Sequence, residues 1–131
     1  MATEGAFRFA YFTDKYEETC DYYRHTLGFS LEHSWDRSEN DRGALFKAGK
    51  GLIEVLSSPS GGEHRVAGLD YRPPQGVFAV LQVWDIDDQY ERLQSMGVPF
   101  QQHIINQTWG HRTFSVMEPN GLTLLFIQEQ F

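Results

Sequence analysis

The chain contains an internal repeat, and this feature constrains its fold more than any other. A strand-like apolar run, an aspartate and a helical stretch that ends in glycine occur twice, first through Asp14 to Gly28 and again through Asp85 to Gly97. The aspartates are 71 residues apart and the glycines 69, so the two copies have almost the same length. Because 131 residues suffice for one domain of ordinary size, we predict a single domain, residues 1–131, built from two similar halves.

One helix is predicted in each half. Asp14 can accept hydrogen bonds from the free N–H groups of the first turn, and Glu17 three residues later completes a capping box. An apolar stripe at helical spacing follows in each half and indicates a face that packs on a sheet. The stripes are Tyr16, Cys20, Tyr23 and Leu27 in the first half and Ile86, Tyr90 and Leu93 in the second.

Strand candidates surround each helix. They lie at residues 7–12, 30–35, 44–48 and 52–56 in the first half, and at 77–83, 100–105, 112–117 and 122–128 in the second. Both halves therefore have the order β-α-β-β-β, which predicts an α+β fold with a curled mixed sheet. We place the modules at about 5–57 and 76–129. The loop that joins them, 58–75, is long enough to help cover a site.

The composition excludes several classes of partner. Eighteen acidic against 11 basic residues give a net charge of −7, which repels the phosphates of nucleic acids. No apolar run approaches the roughly 20 residues of a membrane-spanning helix, so no membrane partner is expected. A single cysteine, Cys20, is typical of a reducing compartment and rules out thiolate clusters. We expect a cytoplasmic protein.

The order of these pieces resembles the vicinal oxygen chelate superfamily, which includes glyoxalase I, extradiol dioxygenases and the bleomycin-resistance proteins. The resemblance rests on Leu27-Gly28-Phe29, Val83-Trp84-Asp85-Ile86-Asp87, Trp109-Gly110-His111-Arg112-Thr113-Phe114 and Glu118-Pro119-Asn120-Gly121. It implies two curled sheets that form a concave ligand cup, commonly in a homodimer. A homodimer is therefore expected here.

The same resemblance implies four metal-ligand positions, on the first and last strand of each half. In this chain they fall on Phe7, Glu54, Phe78 and Leu125. Phenyl and isobutyl groups donate no lone pair, and one carboxylate is short of the three protein ligands that catalytic sites normally assemble. An alignment error of one residue restores no ligand set. We therefore expect no metal and no other cofactor, as in the metal-free bleomycin-resistance branch.

Glu54 has several interpretations at this stage. It is either a rim carboxylate paired with Arg112 or Arg8, or a group that orients a cationic ligand. Proton abstraction by a buried carboxylate is a third interpretation, although no second acid or base is evident. With His103 or His111, Glu54 is also the basis of a non-standard metal site.

Alternation along the strands predicts a second apolar face that needs a cover. Phe7, Phe9 and Tyr11 share one face of the first strand, while the residues between them are expected to meet the helix. The predicted ligand-binding residues are Phe7, Phe9, Trp35, Glu54, Phe78, Val80, Trp109, Arg112 and Leu125. No catalytic residue is expected.

The leading hypothesis is a metal-independent protein that binds and sequesters a small, partly aromatic and cationic molecule. Two alternatives remain: a lyase, isomerase or oxygenase of the same fold with non-standard metal ligands, and a structural or regulatory module whose apolar face dimerises.

Overall fold

A computed structural model describes residues 5–58 and 74–130. The chain forms two compact units, Met1–Pro74 and Gln75–Phe131. The first contains β1 (Arg8–Thr13), α1 (Tyr16–Asp21), a π-helical turn (Tyr22–Thr26), β2 (Ser30–Ser38), β3 (Asp41–Ala48) and β4 (Gly51–Ser57). The second contains β5 (Phe78–Gln82), α2 (Ile86–Ser95), β6 (Gln102–Asn106), β7 (His111–Met117) and β8 (Thr123–Glu129). The predicted α+β class with two β-α-β-β-β repeats is confirmed.

Each unit has one four-stranded mixed sheet. The strand orders are β1-β4-β3-β2 and β5-β8-β7-β6, with β1–β4 and β5–β8 parallel and the other pairs antiparallel. The first and last strands of a unit thus lie side by side. The predicted common cup and the single-domain organisation concern the arrangement of the two units, and both stay predictions.

The first helix begins one residue later than predicted. Its N-cap is Lys15, whose backbone N–H donates to Thr13 Oγ1 at 2.9 Å, and no side chain caps the helix. The predicted capping box of Asp14 and Glu17 is therefore wrong. The predicted end at Gly28 is confirmed, since this glycine adopts a φ of 75° that residues with a Cβ rarely accept.

The π-helical turn alters the predicted stripe of the first helix. The N–H of Leu27 donates to the carbonyl of Tyr22, five residues earlier, at 2.9 Å, so the turn contains an extra residue. Thr19, Tyr23 and Leu27 are consequently buried, whereas Cys20 is only half-buried. Burial nevertheless raises the pKa of the Cys20 thiol to about 11, as expected for a packing cysteine and not for a nucleophile.

The second unit has an aromatic core beneath its helix. Ile86 and Leu93 of α2 are fully buried, and Tyr90 contacts the ring of Phe114 at a centroid distance of 5.5 Å. Phe114 in turn stacks on Phe126 at 4.7 Å. The predicted stripe of this helix is confirmed. Within the described part of the chain, no helix is both long and apolar enough to span a bilayer.

The loop predicted to help cover a site, 58–75, lies largely outside the described residues.

Candidate functional site

Each sheet has a helix face, packed against its own helix, and an open face on the other side. In the first unit the two faces are identified by Tyr11, whose hydroxyl lies 2.9 Å from that of Tyr23 in the helical segment. Tyr11 is in register with Val55, and Phe9 with Ile53, and both β4 residues are buried. Phe9 therefore lies on the helix face. The predicted open-face placement of Phe7, Phe9 and Tyr11 is wrong; Phe7 precedes β1 and is exposed.

The error comes from the offset between the repeats. The two helices follow Lys15 and Asp85, an offset of 70 residues, whereas aligning Asp14 with Asp85 gives 71. Side chains alternate along a strand, so an error of one residue exchanges the two faces. The residue of the first unit that corresponds to Phe78 is consequently Arg8.

The open face of the first sheet consists of three transverse rows. They are Arg8, Leu52, Lys47 and Ser30; Ala10, Glu54, Leu45 and His33; and Phe12, Leu56, Gly43 and Trp35. Charge is concentrated in the first two rows, and the aromatic groups lie along β2 and at the end of β1. This face therefore offers charged and stacking groups together.

Arg8 and Glu54 form an ion pair on this face. Arg8 Nη1 lies 3.5 Å from Glu54 Oε2, and the exposed fractions of the two side chains are 49% and 14%. Of the interpretations of Glu54, pairing with Arg8 is thus the one that the geometry supports. The contact is single and long, so it leaves most of the guanidinium donors directed elsewhere.

Trp35 forms a fixed aromatic platform on the same face. A Cβ at Gly43 would overlap the Trp35 ring, so the ring lies flat against the glycine backbone. Trp35 Nε1 donates to Asp41 Oδ1 at 3.2 Å, and the ring contacts His33 at a centroid distance of 5.9 Å. The side chain is therefore oriented before any ligand arrives, as a stacking wall requires.

The open face of the second sheet is apolar along its first and last strands. Val80 is in register with Leu125, and Phe78 with Thr123, while the buried Leu81 and Phe126 face the helix. Phe78 and Val80 are 61% and 52% exposed. The predicted shared face of Phe78, Val80 and Leu125 is confirmed; their contact with a ligand stays a prediction.

Arg112 and Trp109 do not join this apolar surface. Arg112 lies on the helix face, where its guanidinium binds the carboxylate of Asp87 in α2 with a shortest distance of 2.8 Å and donates to Asn106 at 3.0 Å. The expectation that Arg112 pairs with Glu54 is wrong, because Asp87 holds it on the other side of its sheet. Trp109 lies in the β6–β7 turn, is exposed, and directs Nε1 at His111 Nδ1, 3.2 Å away.

The residues at the family's four metal positions do not fit a divalent cation. With the corrected register these positions hold Arg8, Glu54, Phe78 and Leu125, and a guanidinium, a phenyl and an isobutyl group are not ligands. In residues 5–58 and 74–130, no three His, Cys, Asp or Glu side chains are grouped so as to hold a metal. His103 Nδ1 instead lies 2.7 Å from the Tyr90 hydroxyl.

Sequence reasoning missed Arg8, Lys47 and Gly43 as site residues. Arg8 was one position from the residue chosen, and only the offset of the helix starts reveals it. Gly43 carries no signal in the sequence, since its role depends on the strand pairing that places it opposite Trp35.

A β-α-β-β-β repeat with an open, partly aromatic sheet face in each unit defines a class of small-molecule sites. A family model described as the Glyoxalase/Bleomycin resistance protein/Dioxygenase superfamily matches residues 5–126. The chain belongs to this superfamily, as its sequence resemblance predicted. A comparison with curated proteins gives no match.

Solved structures share the fold at low identity. TioX from Micromonospora sp. ML1 is 18% identical with a TM-score of 0.76, covering 95% of this chain and 98% of its own. A superfamily member from Sphaerobacter thermophilus DSM 20745 is 24% identical with a TM-score of 0.72, covering 97% and 98%. Lactoylglutathione lyase from Agrobacterium tumefaciens is 12% identical with a TM-score of 0.69, covering 98% and 96%. An enzyme is among these neighbours, so the fold alone does not assign a function.

Proposed function

We propose that this protein binds a small, partly aromatic molecule on its open sheet faces without a metal and without turnover. The observation that carries the proposal is the content of the four metal positions of the superfamily: Arg8, Glu54, Phe78 and Leu125. One carboxylate paired with a guanidinium cannot hold a catalytic metal, whereas hydrocarbon groups at the other positions suit an apolar ligand.

The aromatic groups support a ligand with a flat ring. Trp35 is fixed against Gly43 before binding, and Phe78 and Val80 are more than half exposed. A stacked aromatic pair contributes about 0.5–1.5 kcal/mol beyond the burial of area, so a few such contacts account for binding in the micromolar range. Glu54 as the anchor of a cationic ligand is the charge preference expected from the sequence, and it is tested below.

We also propose that the protein is a homodimer that sequesters its ligand in the cytoplasm. The large apolar side chains exposed on the second unit, Phe78 and Val80 among them, favour a cover supplied by a ligand or a second copy. Sedimentation at micromolar concentration should give twice the chain mass. A monomer at that concentration would remove the dimer from the proposal.

Elemental analysis tests the metal-independent function. Protein purified without chelator should contain zinc, nickel, iron and manganese far below one atom per chain. Binding of an aromatic probe should be unchanged by EDTA. A stoichiometric metal, or loss of binding on chelation, would instead support an enzyme of this superfamily with non-standard ligands.

A further inference from the structure

The open face of the first sheet has an excess of positive charge in a chain whose net charge is −7. The strand register and hydrogen bonds place the cations Arg8, Lys47 and Arg37 at this face, against the anions Glu54 and Asp41. Arg37 and Asp41 neutralise each other through two hydrogen bonds, the shorter of 2.8 Å. Glu54 is thus left with two cations, so the local charge opposes that of the protein as a whole.

Two of these cations lie in one transverse row. Arg8 is in register with Leu52, and Leu52 with Lys47, so their Cα atoms are two strand spacings, or about 10 Å, apart. Both side chains are exposed and long enough to reach one group above Leu52. Arg8 makes a single 3.5 Å contact with Glu54, and a guanidinium has five N–H donors in all.

We propose that Arg8 and Lys47 form a subsite for an oxyanion carried by the aromatic ligand, such as a carboxylate, sulfonate or phosphonate. The inference rests on the proposed function and reverses the charge expected from Glu54 alone. Glu54 holds the guanidinium in place from one side, while the remaining donors of Arg8 and the ammonium of Lys47 bind the anion. Charge-assisted hydrogen bonds of this type are stronger than neutral ones.

The position of Trp35 sets the length of such a ligand. Lys47 and Gly43 are four residues apart on β3, or roughly 13 Å, and Trp35 is the neighbour of Gly43 on β2. An aromatic body stacked on Trp35 therefore places a substituent near the cationic row only at its far end. The subsite fits an elongated aromatic acid better than a compact one.

Three fluorescent dyes test the charge of the ligand. Anilinonaphthalene sulfonate and phenylnaphthylamine have the same aromatic body and differ by the sulfonate, and thioflavin T is an aromatic cation. The wild-type protein should bind the sulfonate most tightly. Arg8→Gln and Lys47→Gln should each weaken the sulfonate about fivefold and change the neutral dye by less than about twofold. Arg24→Gln, on the exposed side of the π-helical turn, is the charge-matched control and should leave all three affinities unchanged.

The outcomes separate this inference from the proposed function. If the dyes bind and Trp35→Ala weakens them, but Arg8→Gln acts no more strongly than Arg24→Gln, the oxyanion subsite is refuted and aromatic binding stands. Preference for thioflavin T, lost in Glu54→Gln, would likewise overturn it in favour of a cation site. If no dye binds, or if Trp35→Ala changes nothing, the proposed function itself fails.

Discussion

Replacing Gly43 with alanine should destabilise the protein, although alanine usually stabilises a strand relative to glycine by about 0.5–1 kcal/mol. The added Cβ would overlap the Trp35 ring. The ring can move away only by breaking the 3.2 Å hydrogen bond from Nε1 to Asp41 and its contact with His33. The sign of the effect therefore reports whether the platform is as rigid as its contacts indicate.

The expected size of this effect follows from its parts. Overpacking costs about 1–3 kcal/mol, and an exposed hydrogen bond contributes about 0.5–1.5 kcal/mol. After subtraction of the intrinsic preference for alanine, Gly43→Ala should lower the free energy of unfolding by about 1–2 kcal/mol. In a Trp35→Ala background the overlap is absent, and the same substitution should be neutral or stabilising.

Urea denaturation of the four proteins, followed by far-ultraviolet circular dichroism, measures this coupling without relying on tryptophan emission. The coupling energy should be about 2 kcal/mol, with equal m-values. Gly43→Ala should also weaken the sulfonate dye, because the displaced ring no longer stacks. An equal effect of Gly43→Ala in both backgrounds, or a stabilisation of the otherwise wild-type protein, would refute the fixed platform.

Three further results are expected. Asp87→Asn and Arg112→Gln should show a coupling of about 0.5–1 kcal/mol in urea denaturation without changing dye affinity, whereas additive effects or a loss of dye binding would contradict the helix-face position of Arg112. Iodoacetamide at pH 8 should alkylate Cys20 about a hundredfold more slowly than an ordinary thiol, since its pKa is raised to about 11 by burial; alkylation at the ordinary rate would show that this pKa is wrong. Glu118→Ala should cost about 2–4 kcal/mol in free energy of unfolding, because this buried carboxylate accepts the N–H groups of Asn120 and Leu122 at 2.6 and 3.0 Å, and a cost below about 1 kcal/mol would contradict it.

Local patterns in the sequence were sufficient to predict the repeat, the order of its elements and the apolar face of the second unit. Each of these depends on the spacing of apolar residues and on glycines such as Gly28 that end a helix. Phe78, Val80 and Leu125 were placed correctly because the strand alternation and the helix start in that half, after Asp85, were both assigned correctly.

The first unit was misassigned because capping preference was used to align the repeats. Asp14 is a stronger capping residue than Lys15, yet the helix begins after Lys15, whose N–H binds Thr13 Oγ1. A helix boundary that is wrong by one residue changes little in a helix but exchanges the faces of the adjoining strand. Arg8 was therefore missed, and Phe9 was placed on the wrong side.

The position of Arg112 could not be predicted, because it depends on how a strand packs against a helix from the same unit. The two units use the same contact here. Arg42, the second residue of β3, binds Glu17 at 3.1 Å, and Arg112, the second residue of β7, binds Asp87 at 2.8 Å. Within each pair of corresponding residues the offset is 70.

The helix sides of the two units thus share a supporting contact, whereas their open faces differ in chemistry. Arg8 corresponds to Phe78, and Glu54 corresponds to Leu125, so an ion pair in one unit stands where hydrocarbon stands in the other. A largely buried carboxylate loses hydration, and pairing it with a guanidinium seldom stabilises a fold more than apolar residues of similar size. The second unit folds with the apolar pair at the same positions. Folding therefore does not explain why the first unit keeps its charges, and recognition of a charged ligand does.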